Sequence, residues 1–214
     1  MSDRTRIRRI PENAVTDKAA LLAILDAGLV ANVAVVDEGQ PFILPVAYAR
    51  RGDTVIFHGS TGSRLFRALD QGSPTCFSVT HFDGIVAARS AFHSSMHYRS
   101  AMVLGVAHRL TGDDELDALR VLTDHLIPGR WAQARHPNAK ERAKTMTLAL
   151  GLDEWSVKIG DGPPQDEPED YIEEPWASVW AGVLPIAQRA GVPIPDAVTL
   201  ERGIPLPANL AADQ

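Results

Sequence analysis

Between Thr145 and Gly160 apolar residues alternate, first on even positions (Met146, Leu148, Leu150, Leu152) and then on odd ones (Trp155, Val157, Ile159). Side chains of a strand repeat every two residues, so this stretch reads as one long strand whose phase slips near Asp153, the mark of a bulge or bend. A strand bent in this way lets a sheet curl shut. The preceding chain supplies that sheet. Leu29 to Val36 and Pro41 to Ala49 flank an Asp37-Glu38-Gly39 turn and read as a hairpin, and Arg51-Gly52-Asp53 turns into a further β-branched run, Thr54 to His58. Strands are expected over Thr75 to His81, Ile85 to Ala91 and Ser100 to Leu110, separated by Asp83-Gly84 and by the polar stretch His93 to Arg99. Six or seven strands in a meander predict a mainly β chain of the α+β type, a small antiparallel barrel with peripheral helices.

The helices are short. Thr16 is placed to cap one over Asp17 to Ala27 with Gly28 as its stop, and a second follows Arg64 with Leu65, Phe66, Ala68 and Leu69 before Gly72 and Pro74. Asp113-Asp114-Glu115 opens a third, which ends near Ile127-Pro128-Gly129, and a fourth begins near Asn138. Beyond Gly160 the composition changes. Seven acids and no base lie between Asp161 and Pro175, among prolines, so residues 161–214 read as an acidic arm with a C-terminal helix and tail. That arm packs on the barrel, residues 1–160, or on a partner subunit. Trp176 and Trp180, one helical turn apart, are candidate anchors for it.

The net charge of −6 is concentrated in the arm, which leaves a near-neutral body without the clustered cations that nucleic-acid binding needs. No stretch has the roughly 20 apolar residues of a membrane span, and no apolar segment follows Arg4, Arg6, Arg8 and Arg9, so a cytoplasmic protein is expected. A single cysteine, Cys76, excludes an internal disulfide and a cysteine-framed metal site. His93 and His97 are four apart but lack an intervening Glu and a third ligand, so no metal is expected. No Gly-x-Ser-x-Gly elbow accompanies Ser94 and Ser95, which argues against a hydrolase.

Two clusters can carry chemistry. In Gly59-Ser60-Thr61-Gly62-Ser63-Arg64, glycines, hydroxyls and a guanidinium precede a helix, a pattern that reads either as a phosphate cradle, helped by Arg67, or as a serine-capped helix with solvated arginines. It lacks the ending of a nucleotide triphosphate loop. Met96-His97-Tyr98-Arg99-Ser100 is either a seat for a planar polar ligand or a polar loop. His58, beside the glycine loop, is a candidate donor to a ligand.

These segments, with Ala88-Arg89-Ser90-Ala91-Phe92 and Glu154-Trp155-Ser156-Val157-Lys158, occur in an order that resembles the pyridoxamine 5′-phosphate oxidase-like flavoproteins, over about Arg6 to Pro185. Within them the chain is most similar to the flavin-nucleotide-binding or nitroimidazole-resistance-type branch. The resemblance implies a split β-barrel that forms a homodimer and binds FMN in two equivalent clefts at the subunit interface. It implies that Ser63 and Arg64 form the phosphate-binding turn and that His58 and Gly59 lie beside the flavin, with Ser60 of the same loop also expected to bind the cofactor. Pro45, Val46 and Ala47 would line the ring, Tyr98, Arg99 and Ser100 would reach it from the partner, and Trp155 would stand near the cleft. Leu65 follows Arg64 where the oxidases carry a lysine, and no paired arginines follow Arg99, which argues against vitamin B6 oxidation itself. The expected activity is an FMN-dependent oxidoreduction of a small organic substrate, with NAD(P)H as a candidate electron donor and His58 as the catalytic candidate for proton delivery. The competing expectations are a flavin carrier or sensor without turnover, or a split barrel that uses heme or deazaflavin.

Overall fold

The protein is described by a computed structural model covering residues 2–211. Ten strands form one sheet among the described residues: β1 (Ala14–Val15), β2 (Val30–Asp37), β3 (Gln40–Arg51), β4 (Thr54–Ser60), β5 (Pro74–Ala87), β6 (Ser95–Val106), β7 (His108–Arg109), β8 (Thr145–Gly151), β9 (Glu154–Gly160) and β10 (Gly182–Pro185). Their order is β1-β9-β6-β5-β2-β3-β4-β8-β7, with β10 added to β5, and every pairing is antiparallel. The helices are α1 (Lys18–Ala27), α2 (Arg64–Asp70), α3 (Gly112–Leu126), α4 (Arg130–Gln133), α5 (Ala139–Ala143), α6 (Ala197–Glu201) and α7 (Ala208–Ala211). The sheet closes where β6 approaches β8, so closely that a Cβ on Gly105 would press on a Leu150 methyl at 2.9 Å.

Inside the barrel Tyr48, Phe57 and Phe77 are fully buried, with Tyr48 edge-on to Phe77 at 5.1 Å between ring centroids. Leu21, Ile24 and Leu25 of α1 and Leu65, Phe66 and Leu69 of α2 complete that core. A second core, Ala49, Ile56, Ala149, Leu110, Ala118 and Leu122, lies between the outer face of β3, β4 and β8 and helix α3. Alternation decides which core each β4 residue joins: Val55 and Phe57 point inward, Ile56 outward.

Several boundaries differ from the sequence expectation, each for a local reason. Asp17, not Thr16, caps α1, its carboxylate accepting the Ala19 N–H at 2.9 Å. The two strands expected over Thr75 to His81 and Ile85 to Ala91 are one strand, β5, because Asp83-Gly84 forms a bulge inside the ladder and not a turn. The polar run Ser95 to Arg99, expected as loop, begins β6 because it pairs with β5. The bent strand of 145–160 is two strands. β8 pairs with β4 and β9 with β6, so the phase slip at Asp153 is where the chain crosses from one side of the barrel to the other. Trp176 and Trp180 do not share a helix: Trp176–Ser178 is a single 3-10 turn, and the chain then adds β10 to the sheet.

Two side chains from elsewhere satisfy carbonyls at the end of α1. The Tyr48 hydroxyl donates to Leu25 O at 2.7 Å, and His81 Nε2 lies 2.9 Å from Ile24 O. Burial, with the Asp26 carboxylate adding, holds the Tyr48 phenol protonated far above its usual range. Replacing Tyr48 by Phe leaves the Leu25 carbonyl buried without its donor and should destabilise the protein by about 1–2 kcal/mol. Urea unfolding checks this; an unchanged midpoint would show the bond to be dispensable.

Candidate functional site

The site arises from a shortage of backbone partners. β3 pairs with β2 from Gln40 to Ala47 but with β4 only from Tyr48 to Arg51. β4 continues as His58, Gly59 and Ser60 by pairing with β8 alone, opposite Thr147, Met146 and Thr145. The two strands therefore diverge beyond the Tyr48–Phe57 pair, and a wedge opens between them. One wall is the free edge of β3 at Pro45, Val46 and Ala47, and the other is His58 to Ser60 with the turn that follows. Leu44 has inward parity yet remains 45% exposed, because no strand covers that edge.

The turn is built from its own short bonds. Gly62 N–H donates to Ser60 Oγ at 3.1 Å, Ser63 N–H to Ser60 O at 2.9 Å and Thr61 N–H to Lys144 O at 3.0 Å. Ser63 precedes α2 in extended conformation, but its hydroxyl makes no capping bond. The serine-capped-helix reading is therefore not what the side chain does. In α2 the N–H groups of Arg64, Leu65 and Phe66 precede the first intrahelical bond, from Arg67 N–H to Ser63 O. The two glycines differ in role. A Cβ on Gly59 would overlap the Phe66 ring, so this glycine serves the packing of α2 under β4; a Cβ on Gly62 would meet only Ser60 Oγ, at 3.5 Å.

Arg64 closes the far end of the wedge. Its Nε donates to Asp37 at 2.6 Å, and its guanidinium lies 4.1 Å from the centroid of the Phe42 ring, which joins α2 to the β2–β3 hairpin. Arg67 shares with Arg64 a groove of ≈ 590 Å³ also lined by Asp37, Glu38 and Gln71, and makes no ion pair among the described residues. The cationic charge available to an anion here is thus Arg67 together with whatever Arg64 retains after pairing.

His58 has outward parity and faces α3, lining a second cavity of ≈ 350 Å³. The residue is solvent-exposed, yet desolvation by the protein around its ring pushes its pKa below the ordinary 6.5. The imidazole is therefore neutral at physiological pH, which makes it an acceptor or a neutral donor there and not a ready acid.

Within this chain the remaining expected residues lie elsewhere. Tyr98, Arg99 and Ser100 are on β6, separated from the β3 wall of the wedge by β5 and β2, and there Arg99 binds Asp83 through two bonds of 2.8 Å. Trp155 pairs with Val103 beside the β8–β9 corner, whereas His58 lies opposite Thr147 toward the other end of β8. The structure thus gathers Pro45, Val46, Ala47, His58, Gly59, Ser60, Ser63 and Arg64 but not Tyr98, Arg99, Ser100 or Trp155.

Sequence reasoning missed three features. Asp37, read only as a turn residue, is the partner of Arg64. Trp131 and His136, stacked at 4.4 Å with rings 21° apart, form a wall of the His58 cavity; two aromatics bracketed by Pro128-Gly129 and Pro137 beside Arg130 and Arg135 were the available signal. Asp166 of the acidic arm has a fully buried side chain and accepts the N–H groups of Arg89 at 2.9 Å and Ser90 at 3.0 Å, docking the arm on the loop after β5. Desolvation opposes its ionisation, but those two donors outweigh it and hold the carboxyl below its usual range. Among the described residues no group of three or more His, Cys, Asp or Glu side chains is placed to hold a metal ion, and no helix is long and apolar enough to cross a membrane.

The family model described as pyridoxamine 5′-phosphate oxidase matches residues 17–159. A FAD- and heme-binding protein from Mycobacterium smegmatis is 40% identical, with 94% of this chain and 97% of that one covered and a TM-score of 0.88. A flavocytochrome from Azotobacter vinelandii is 38% identical, with coverage of 100% and 97% and a TM-score of 0.91. A Bacteroides thetaiotaomicron protein assigned to 5-nitroimidazole antibiotic resistance shares the fold at 17% identity, with 68% of this chain and 86% of that one covered and a TM-score of 0.57. No curated protein matches the chain.

The depressed pKa of His58 fixes the sign of a pH effect. The unfolded chain binds a proton that the fold resists, so stability is full above the unfolded value near 6.5 and falls as pH drops below it. His58→Gln should flatten the decline of Tm between about pH 6.5 and pH 5. Parallel Tm profiles for the two proteins would contradict a His58 held neutral.

Proposed function

Because the chain belongs to the pyridoxamine 5′-phosphate oxidase family, we propose that it is a flavin-binding oxidoreductase acting on a small organic substrate. The observation that carries this reading is the wedge, where a free strand edge faces a hydroxyl-bearing turn and an arginine pair. Backbone N–H and C=O groups on an unpaired edge are suited to the polar rim of a planar heterocycle. The Ser60 and Ser63 hydroxyls, the first N–H groups of α2 and Arg67 suit a phosphoryl group, with Arg64 shared between it and Asp37. These residues would hold the flavin, and Pro45, Val46 and Ala47 would meet its ring. When bound, a flavin supplies electron transfer between donor and substrate. This chain's residues would orient it and limit water at the wedge, whereas His58, the sequence candidate for proton delivery, turns its ring to the α3 cavity.

The flavin is FAD in this proposal and not the FMN expected from sequence, since a structure 40% identical to this chain is of a FAD-binding protein. Heme is proposed as a second group, supported by both close structural neighbours. An iron porphyrin needs a neutral donor. His81 and His125 already bond backbone carbonyls and His93 faces Glu167 at 3.3 Å, whereas the rings of His58, His97, His108 and His136 have no hydrogen-bond partner among the described residues. Ligation would fall to one of these four.

A homodimer completes the proposal. Apolar side chains stay exposed on the outer face of the sheet, among them Val30, Ile43, Phe82, Ile85 and Met96. A second copy covering that face would remove them from water and could bring Tyr98, Arg99 and Ser100 to the wedge of the first.

The visible spectrum of the purified protein, read before and after anaerobic addition of NADH or NADPH, tests this. Flavin bands that bleach, beside a heme Soret band, are expected; bands that stay oxidised with every donor would leave a carrier or sensor, and a colourless protein would end the flavin reading. Arg64→Ala should weaken flavin binding roughly tenfold, the scale of one charge-assisted hydrogen bond, and unchanged retention would remove Arg64 from the cradle.

A further inference from the structure

The cavity that His58 shares with α3 lies on the outer face of β4, next to the wedge, and has no role in seating a flavin ring. His58 and Thr145 line it, and Thr145 pairs with Ser60 while Thr61 N–H bonds to Lys144 O, so the cavity adjoins the wedge turn through β4 and β8. The walls are mostly apolar: Leu119, Leu122 and Leu126 project from one face of α3, and Trp131 stacked on His136 stands across from them. Beneath, Thr147 is fully buried, its hydroxyl has no hydrogen-bond partner, and it lies directly opposite His58 in the β4–β8 ladder. A volume of ≈ 350 Å³ falls at the lower end of small-molecule sites, which run from about 300 to 1,000 Å³.

We infer that this cavity seats the adenosine half of FAD, so that the protein selects FAD over FMN. The inference rests on the flavin reading above and adds the residues that distinguish the two flavins. FAD is linear: ring, ribityl chain, two phosphates, ribose, adenine. With the ring along β3 and the first phosphate at the Ser60–Ser63 turn, the remainder finds a seat on the β8 side of the turn, where His58 and Thr145, the ladder partner of Ser60, line the cavity. An adenine needs an aromatic plate and apolar walls with a few polar groups at its edges. Trp131 with His136 provides the plate, the α3 leucines the walls, and the neutral His58 ring and the Thr145 hydroxyl, which donates to Glu141 O at 2.9 Å and is left as an acceptor, the edge groups. FMN ends at the first phosphate and leaves all of this unused.

Separate fluorescence titrations of flavin-stripped full-length protein with FAD and with FMN test the assignment. Wild type should bind FAD at least about tenfold more tightly than FMN, the scale of one base–aromatic stack. Trp131→Ala should erase that preference by weakening FAD alone. Ala134→Trp, which fills the cavity without removing a core side chain, should do the same. Equal wild-type affinities, or variants that weaken FAD and FMN alike, would overturn the inference and leave the flavin reading standing. Variants that keep the FAD preference but lose a heme Soret band would overturn it too, giving the cavity to heme. Wild type that binds neither flavin would bring down the function proposal itself, and this inference with it.

Discussion

Hydrogen bonding along β4 is the constraint on which the site depends. A strand has two edges, and each buried N–H or C=O must find a partner. β4 gives one edge to β8 over its whole length but the other to β3 for only four residues, ending at Tyr48–Phe57. Were the ladder to continue, β3 and β4 would zip together and the barrel would be closed and featureless on that side. It stops because Gly59 lets Phe66 press against β4 and turns the chain into α2, whose Leu65 and Leu69 fill the barrel. Packing of one helix thus creates the opening, and the opening exposes the edge. Pro41 and Pro45 on β3 suit a strand with an edge left free, since a proline has no N–H to offer a further ladder.

The outer core has an analogous consequence. α3 buries Leu122 and Ala118 against Ile56 and Ala149, but its last turn runs beyond the sheet, and the α4–α5 segment folds over that end. Arg142 ties α5 back to α3 through Glu115 at 2.7 Å and Gly112 O at 3.0 Å. What lies between is the cavity of His58 and Trp131. Two concavities therefore lie beside the end of β4: the wedge toward β3, and the α3 cavity that His58 lines together with Thr145, the ladder partner of Ser60. The functional proposals share that geometry: a ligand with two unlike ends joined by phosphates matches two unlike slots joined by a hydroxyl-rich turn.

Much of this was legible in the sequence, where period and punctuation carried it. Alternation in 145–160 and the Gly-containing turns at 37–39 and 51–53 gave the meander and the curled sheet, and the Gly59–Arg64 turn stood out from residue types alone. What stayed hidden was long-range pairing. Asp83-Gly84 looks like a turn locally and becomes a bulge only because β6 runs alongside. The slip at Asp153 looks like a bend and becomes a change of side because β8 and β9 find different partners. Arg64 offered no sign of Asp37, twenty-seven residues away, and nothing local separates Gly59, which admits a ring, from Gly62, which faces space. β10 escaped because four residues, Gly182 to Pro185, are too few for a periodic signal.

The most direct test of the central claim, that the divergence of β3 and β4 makes the cofactor slot, is a crystal structure of the protein purified with its flavin. The isoalloxazine should lie against the free edge at Pro45 to Ala47, with its nearest phosphate within hydrogen-bond reach of Ser63. A flavin seated elsewhere, or a β3 edge zipped to another strand so that the wedge is gone, would contradict it.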